Sequence, residues 1–518
     1  MKLFLLKIVC FGWRLTMERA SGVLMHISSL PSPYGIGTFG KSAYDFVDFL
    51  VETHQTFWQI LPLTTTATGD SPYKSYSAFA GNTSFIDFDI LIEEGYLNEE
   101  DLKDHDFGGD VEKVDYNKMN VERRIVLEKA VQNYMEKNGA ENEKINQFIE
   151  EHKKWLIPYA QFMSFKEHFN RDKWYKWPEE YRNYNPEHVQ KFSEEHSNQM
   201  NYHIITQYWF FEQWNKLKKY ANDHYIQIFG DLPIYVSRDS VEMWTSKELF
   251  LLDENGMPNV VSGTPPDSFA EDGQYWGNPI YDWDYMEENG YAWWIWRLEE
   301  SFKLYDYVRL DHFRGFESYW EIPYGAKTAK DGSWVKGPGE KLFKKIKEEL
   351  GDLNIIAEDL GYITKEVNDL LNFTGFPGMT LLQDAFGNKY DNGSLPHNHE
   401  RHKFLYVGTH DNSTAYGWYL DNINDNQRET AETYLNRRPD EHVSDMMNRG
   451  IASSVSNVAI YVMQDLLQLD NSARMNLPGT VGNNWDWRIK PDAINEELKE
   501  KLLKLTQTYF RDNKAIIA

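Results

Sequence analysis

Three acidic side chains close three apolar runs of this 518-residue chain. Asp311 ends VRLD, Glu358 ends IIAE and Asp411 ends YVGTHD, and a fourth acid, Asp231, ends IQIFGD. A lone carboxylate at the end of a buried strand is costly unless it is paired or shifts its pKa. Basic residues accompany these acids. Arg309 stands two before Asp311, so strand alternation puts both on one face, and His312, Arg314 and His410 flank the acids. Without a metal, the chemistry of such a set is glycosyl transfer. One carboxylate attacks the anomeric carbon. A second, protonated at rest, gives its proton to the leaving oxygen and later takes one from the acceptor. A third hydrogen-bonds sugar hydroxyls beside the oxocarbenium-like transition state. Retention requires nucleophile and acid about 5–5.5 Å apart, and the acid's pKa must be raised by burial or a neighbouring charge. The competing reading is an ion network that only holds the strand ends together.

Elements that bring the acids to one place are legible as repeated strand–helix alternation. Runs rich in branched and aromatic residues lie at 22–30, 57–63, 226–236, 306–313, 353–360, 378–386 and 404–411, with an eighth expected near 473–480. Most lack two-residue alternation, which suits strands covered on both faces. Helical patterns stand between them, at 42–53 with Ser42 as a candidate N-cap and Tyr44, Val47 and Leu50 or Val51 on one side, at 204–223 and at 339–350. The expected fold is α/β: a (β/α)₈ barrel with large insertions in the βα loops, forming subdomains around the mouth. The expected organisation is an N-terminal extension over 1–21, strands 1–2 over 22–85, a helical insertion over 86–200, strand 3 over 201–240, an insertion with a lid loop over 241–305, and strands 4–8 over 306–518.

Composition narrows the ligand. A formal charge of −26, from 54 basic and 80 acidic residues, repels phosphate backbones and anionic lipid, so nucleic acid and membrane are poor partners. No apolar run is long enough for a membrane span. Aromatics make up 15% of the chain, with 18 Trp and 32 Tyr; such rings either pack a large core or stack on flat sugar faces. The single cysteine, Cys10, leaves no intramolecular disulfide and fits a reducing, cytoplasmic setting. The opening stretch MKLFLLKIVC looks like a short leader, but Lys7 interrupts it and no small-residue cleavage site follows; Met17 is the expected native start.

Two motifs suggest other chemistry and are set aside. The stretch GIGTFG, Gly35 to Gly40, has dinucleotide-site spacing, but PSPYG separates it from the strand and no acid ends the second strand. Its glycines are expected to serve backbone geometry and close packing. The run HNHERH, His397 to His402, does not match HExxH and precedes the seventh strand, on the face away from the acids. No metal and no cofactor are expected.

The motifs RLDHFRGF, IAEDLG and GTHDN, in that order, resemble those of the amylomaltases or 4-α-glucanotransferases of glycoside hydrolase family 77, in the α-amylase-like clan. SPYKSYSAFAGN, GDLPIYV, GTPPDSFAEDGQYWGNPIYDWD and RMNLPGTVGNNWDWR add to a resemblance that runs from about Gly22 to the C-terminus. It implies Asp311 as nucleophile, Glu358 as general acid/base and Asp411 as transition-state stabiliser. It implies sugar contacts from Arg309, His410, Asp231 and Tyr73, the last by stacking, and groove positions for Trp276 and Asn476. The stretch Thr264 to Gln274 resembles a lid over the acceptor side, where some relatives carry two adjacent aromatics; here Ser268 precedes Phe269, the one ring expected to touch substrate. The implied reaction is retaining transfer of α-1,4-glucan segments between maltodextrins by a monomer or weak homo-oligomer, with an α-amylase-like hydrolase as the alternative.

Overall fold

The computed structural model describes residues 17–67, 69–139, 142–266, 270–387 and 392–517. Cys10, the leader-like stretch, Ser268 and Phe269 lie outside the described residues.

Eight parallel strands form one sheet: β1 (Ala20–Leu24), β2 (Phe57–Gln59), β3 (Gln227–Leu232), β4 (Tyr307–Leu310), β5 (Ile355–Ala357), β6 (Gly378–Leu381), β7 (Lys403–Tyr406) and β8 (Val458–Val462). Each strand lies beside its neighbours in sequence, and β8 pairs with β1 from Ala20 and Val458 to Leu24 and Val462. The Ala357 N–H donates to the Pro377 carbonyl at 2.9 Å across the β5–β6 seam. The sheet therefore curls into a (β/α)₈ barrel, as expected.

Two placements differ from the sequence reading. The eighth strand is VAIYV, Val458–Val462, and not the segment near 473–480, which is loop around Met475. The first strand begins at Ala20, inside the segment assigned to an extension. Residues before it are also tied to the barrel: Arg19 donates to the Tyr509, Ser454 and Ala452 carbonyls, and Asn457 donates to the Met17 carbonyl.

Helix α1 (Lys41–Glu52) buries Ala43, Phe46, Val47 and Leu50, a three-and-four spacing that makes one apolar stripe. Its N-cap is Gly40 rather than Ser42, and Tyr44 packs on Tyr220 at 5.0 Å outside the stripe. Between β2 and β3 stand α2 (Tyr116–Asn138), α3 (Glu143–His168) and α4 (Ser197–Asp223). Rings fasten them together, with Phe148 and Trp155 of α3 lying 5.7 and 5.4 Å from Phe211 of α4. Phe39 then meets Phe210 and Trp214 at 5.2 and 5.3 Å, which ties α4 to the loop after β1. Each fully buried large apolar side chain contributes about 1.5–3 kcal/mol.

The glycines of that loop are packing residues. Gly35 has φ +80°, and a Cβ on Gly37 would lie 1.8 Å from the Ile27 carbonyl oxygen. A second sheet, antiparallel and four-stranded, joins residues 260–264 and 274–279 to residues 318–336, which follow β4.

Candidate active site

Inward positions of the barrel strands change character along the strands. Phe57, Phe229, Ile356 and Phe404 form an apolar floor, with Phe229 and Phe404 5.2 Å apart. Two residues further along, toward the carboxyl ends, the same face carries Gln59, Asp231, Glu358 and Tyr406. Tyr406 donates to Gln59 at 2.9 Å. On β4 the face reads Tyr307, Arg309 and then Asp311.

Arg309 is the hub. Its Nη1 donates to both Asp231 oxygens, at 2.9 and 2.7 Å, and to Asp311 Oδ1 at 2.8 Å. Burial works against its charge, but Asp231 and Asp311 outweigh it and hold the guanidinium above its ordinary pKa. Burial pushes the Asp231 carboxyl up, and Arg309 opposes this. The Tyr73 hydroxyl donates to Asp231 Oδ2 at 2.9 Å and lies 2.9 Å from His410 Nε2. Its one proton goes to Asp231, so neutral His410 carries its proton on Nε2 and donates to the Tyr73 oxygen. Burial keeps the His410 pKa below its usual value even beside Asp411.

Glu358, just past β5, is half-buried. Its oxygens accept from the His312 N–H at 2.9 Å and the Leu360 N–H at 2.8 Å. His312 adopts φ 49° in the left-handed region, uncommon for a non-glycine residue, and this turn aims its N–H at Glu358. Burial, assisted by the Asp311 charge and opposed by Arg309, pushes the Glu358 carboxyl up to about 8. A carboxyl protonated at neutral pH therefore stands beside the residue that follows Asp311, the division that acid/base glycosyl chemistry requires. Trp276 meets the His312 ring edge-to-face at 4.9 Å.

Asp411 is held differently. Asn476 Nδ2 donates to its Oδ1 at 2.6 Å, and His410 Nε2 lies 3.4 Å from its Oδ2. Arg474 donates to the carbonyls of Asp411 and Asn476 and to the Ser413 hydroxyl, fixing the loop from below. Tyr73 stacks on His410 with centroids 5.3 Å apart and planes at 14°.

The 4-alpha-glucanotransferase model of glycoside hydrolase family 77 matches residues 25–494. The chain belongs to this family. It is 53% identical over 501 residues to a 4-alpha-glucanotransferase of Streptococcus pneumoniae, covering 96% of this chain and 99% of that one. It is 48% identical over 488 residues to one from Clostridium butyricum, covering 94% and 100%. Its fold is similar to the amylomaltase from Streptococcus agalactiae solved in complex with acarbose, with TM-score 0.93, 48% identity and coverage of 96% and 100%.

Of the residues that the family resemblance singled out, Asp231, Arg309, Asp311, Tyr73, His410, Asp411 and Asn476 form one connected network, and Glu358 abuts it through the N–H of His312, the residue after Asp311. Trp276 joins its edge through His312. The Asp231 side chain is fully enclosed, so its contacts are Arg309 and Tyr73. The sequence reading missed three participants. Arg474 opens the RMN motif yet serves the Asp411 loop. The His312 backbone carries a role that no side-chain pattern reveals. Trp485 lies 5.8 Å from Tyr73 and 5.9 Å from His410. The histidines of HNHERH are engaged separately, His397 with Tyr434, His399 with Ser454 and His402 with the Gly375 carbonyl. Among the described residues no three His, Cys, Asp or Glu side chains are grouped to hold a metal.

Proposed function

We propose that this 4-alpha-glucanotransferase transfers α-1,4-glucan segments between maltodextrins by retaining double displacement. Asp311 attacks the anomeric carbon while Glu358 protonates the departing glycosidic oxygen, and a covalent glucosyl–Asp311 ester forms. The shortened glucan leaves. Glu358, now a carboxylate, then takes the proton from an acceptor hydroxyl, which attacks the anomeric carbon, breaks its bond to the Asp311 oxygen and restores both groups. Asp411, oriented by Asn476, accepts hydrogen bonds from hydroxyls of the sugar that bears the positive charge. Arg309 orients Asp311, with Asp231 and Tyr73 holding Arg309 and His410 in register. Trp276 lines the acceptor side.

One observation carries this reading: Asp311 is held by a charged guanidinium while Glu358, across the His312 turn, has its carboxyl raised to about 8. Glu358 thus holds the proton that the mechanism needs it to give. Family membership and the acarbose-bound relative support glucans as the ligand class. The single cysteine in 518 residues supports a reducing cytoplasm as the place of work. Maltotriose tests the function: transfer yields glucose plus longer maltodextrins at constant reducing ends. Rising reducing ends with only shorter products would make the enzyme a hydrolase and overturn the proposal.

A further inference from the structure

Past the catalytic residues, two loops meet over a sandwich of rings. Arg314 lies three residues after Asp311, and Tyr362 four after Glu358. The Arg314 guanidinium lies 3.6 Å from the Trp334 ring centroid and 5.3 Å from that of Tyr362. Arg314 Nη1 also donates to the Tyr362 carbonyl. Its Nε is buried with no hydrogen-bond partner among the described residues, so the guanidinium plane serves the rings. Trp334 is further braced by Trp320, with centroids 5.2 Å apart across the antiparallel sheet. Yet Tyr362 is 70% exposed and Trp334 36% exposed. The internal packing of the protein accounts for the inner faces of these rings and leaves the outer faces open.

We propose that the outer faces of Tyr362 and Trp334 form a binding site for a distal stretch of α-1,4-glucan on the acceptor side of the cleft. Three features select this occupant. The platform is continuous with the site, because Arg314 and Tyr362 sit on the same two loops as Asp311 and Glu358, and Arg314 carries Trp334 from the antiparallel sheet against them. It belongs to the side of the leaving group and acceptor, because Glu358 acts on the oxygen that joins the two halves of the donor, and Tyr362 extends that loop outward. The ligand is neutral: Lys336 is paired with Glu317, the Arg314 guanidinium is covered by the rings, and a net charge of −26 disfavours anions. Rings locked by a guanidinium lose little side-chain entropy on binding, and their faces match the C–H faces of glucose. The site rests on the glucan reading above and extends it to chain length.

The test is a binding titration in an inert Asp311→Asn background, so that the sugar is not consumed. Affinities for maltoheptaose and maltotriose are measured by calorimetry with and without Tyr362→Ala. The substitution keeps the backbone bond to Arg314 and removes the exposed ring together with its contact to the guanidinium. The expected result is about a five- to tenfold weaker maltoheptaose affinity relative to maltotriose, restored by Tyr362→Phe. A ratio within about twofold of the parent, or equal weakening of both sugars, would overturn the site. Because the titration needs no turnover, failure here stays distinct from failure of the transferase reading, which the maltotriose products decide.

Discussion

On the β3–β5 side of the cleft, Asp231 and Asp311 share one buried guanidinium, whereas on the β7 side Asp411 is held by an amide, an imidazole and an arginine bound to its backbone. Side-chain exposure follows the same division: 0% for Asp231, 26% for Asp311 and 41% for Asp411. The difference shows how one residue type is fitted to several tasks. Where the wall is dry, charges interact strongly and protonation is tunable, so Arg309 and Glu358 balance on burial. Where solvent enters, electrostatic effects are screened and geometry comes from hydrogen bonds.

The strongest test of this contrast is Asp311→Asn, which removes the nucleophile from the charged side. Turnover of maltotriose should fall about 10⁴-fold or more while the thermal midpoint holds. Near-normal turnover would refute the assignment. Arg309→Met should act on stability as well, because it leaves Asp231 enclosed and unpaired. A loss of about 3–5 kcal/mol in denaturant unfolding is expected, partly recovered by adding Asp231→Asn. A single variant as stable as the parent would mean that the ion network is not needed.

On the β7 side, Asn476→Ala removes a hydrogen bond to a charged acceptor. It should lower kcat/KM about 10- to 100-fold without a comparable stability loss. Equal effects on stability from Asn476→Ala and Arg309→Met would erase the distinction between the two walls.

Asp231, raised to about 7, titrates in the same range, but the pH dependence of turnover follows the proton donor, Glu358. Its acid form is the active one, so kcat/KM should fall about tenfold per pH unit above the raised pKa near 8. Stability has the same sign. The folded pKa lies above the ordinary 4.5, so the contribution of the protonated group is complete below 4.5 and is lost as pH rises through about 8. Glu358→Gln should therefore melt higher than the parent at pH above 8, though inactive, and match it in acid. A lower melting point in alkali would contradict the raised pKa. The smallest expected effect is Tyr73→Phe, which keeps the stack on His410 but loses both hydroxyl contacts, for about a three- to tenfold drop in kcat/KM.

Much of this arrangement was legible in the sequence. Seven strands announced themselves because strands covered on both faces must be rich in branched and aromatic residues, and acids at their ends had to be paired or in use. The two-residue step from Arg309 to Asp311 placed both on one face before any coordinates, and their 2.8 Å contact follows from strand geometry. VAIYV was no less apolar than the other runs, but the reading took the later RMN motif as the eighth strand. Pairing with Ala20–Leu24 on one side and Lys403–Tyr406 on the other distinguishes the two.

Other features belong to the tertiary structure alone. The antiparallel sheet joins residues 260–264 to residues 318–323, and strand pairing at such separation leaves no local trace. The acid form of Glu358 depends on how deeply it sits and how near Asp311 stands. The enclosure of Asp231 and the service of Arg474 to Asp411 likewise arise from segments distant in the chain. Local periodicity and residue chemistry determined which side chains point inward. Burial and Coulomb energy depend on three-dimensional neighbours, so only the folded barrel decided which carboxyl keeps its proton.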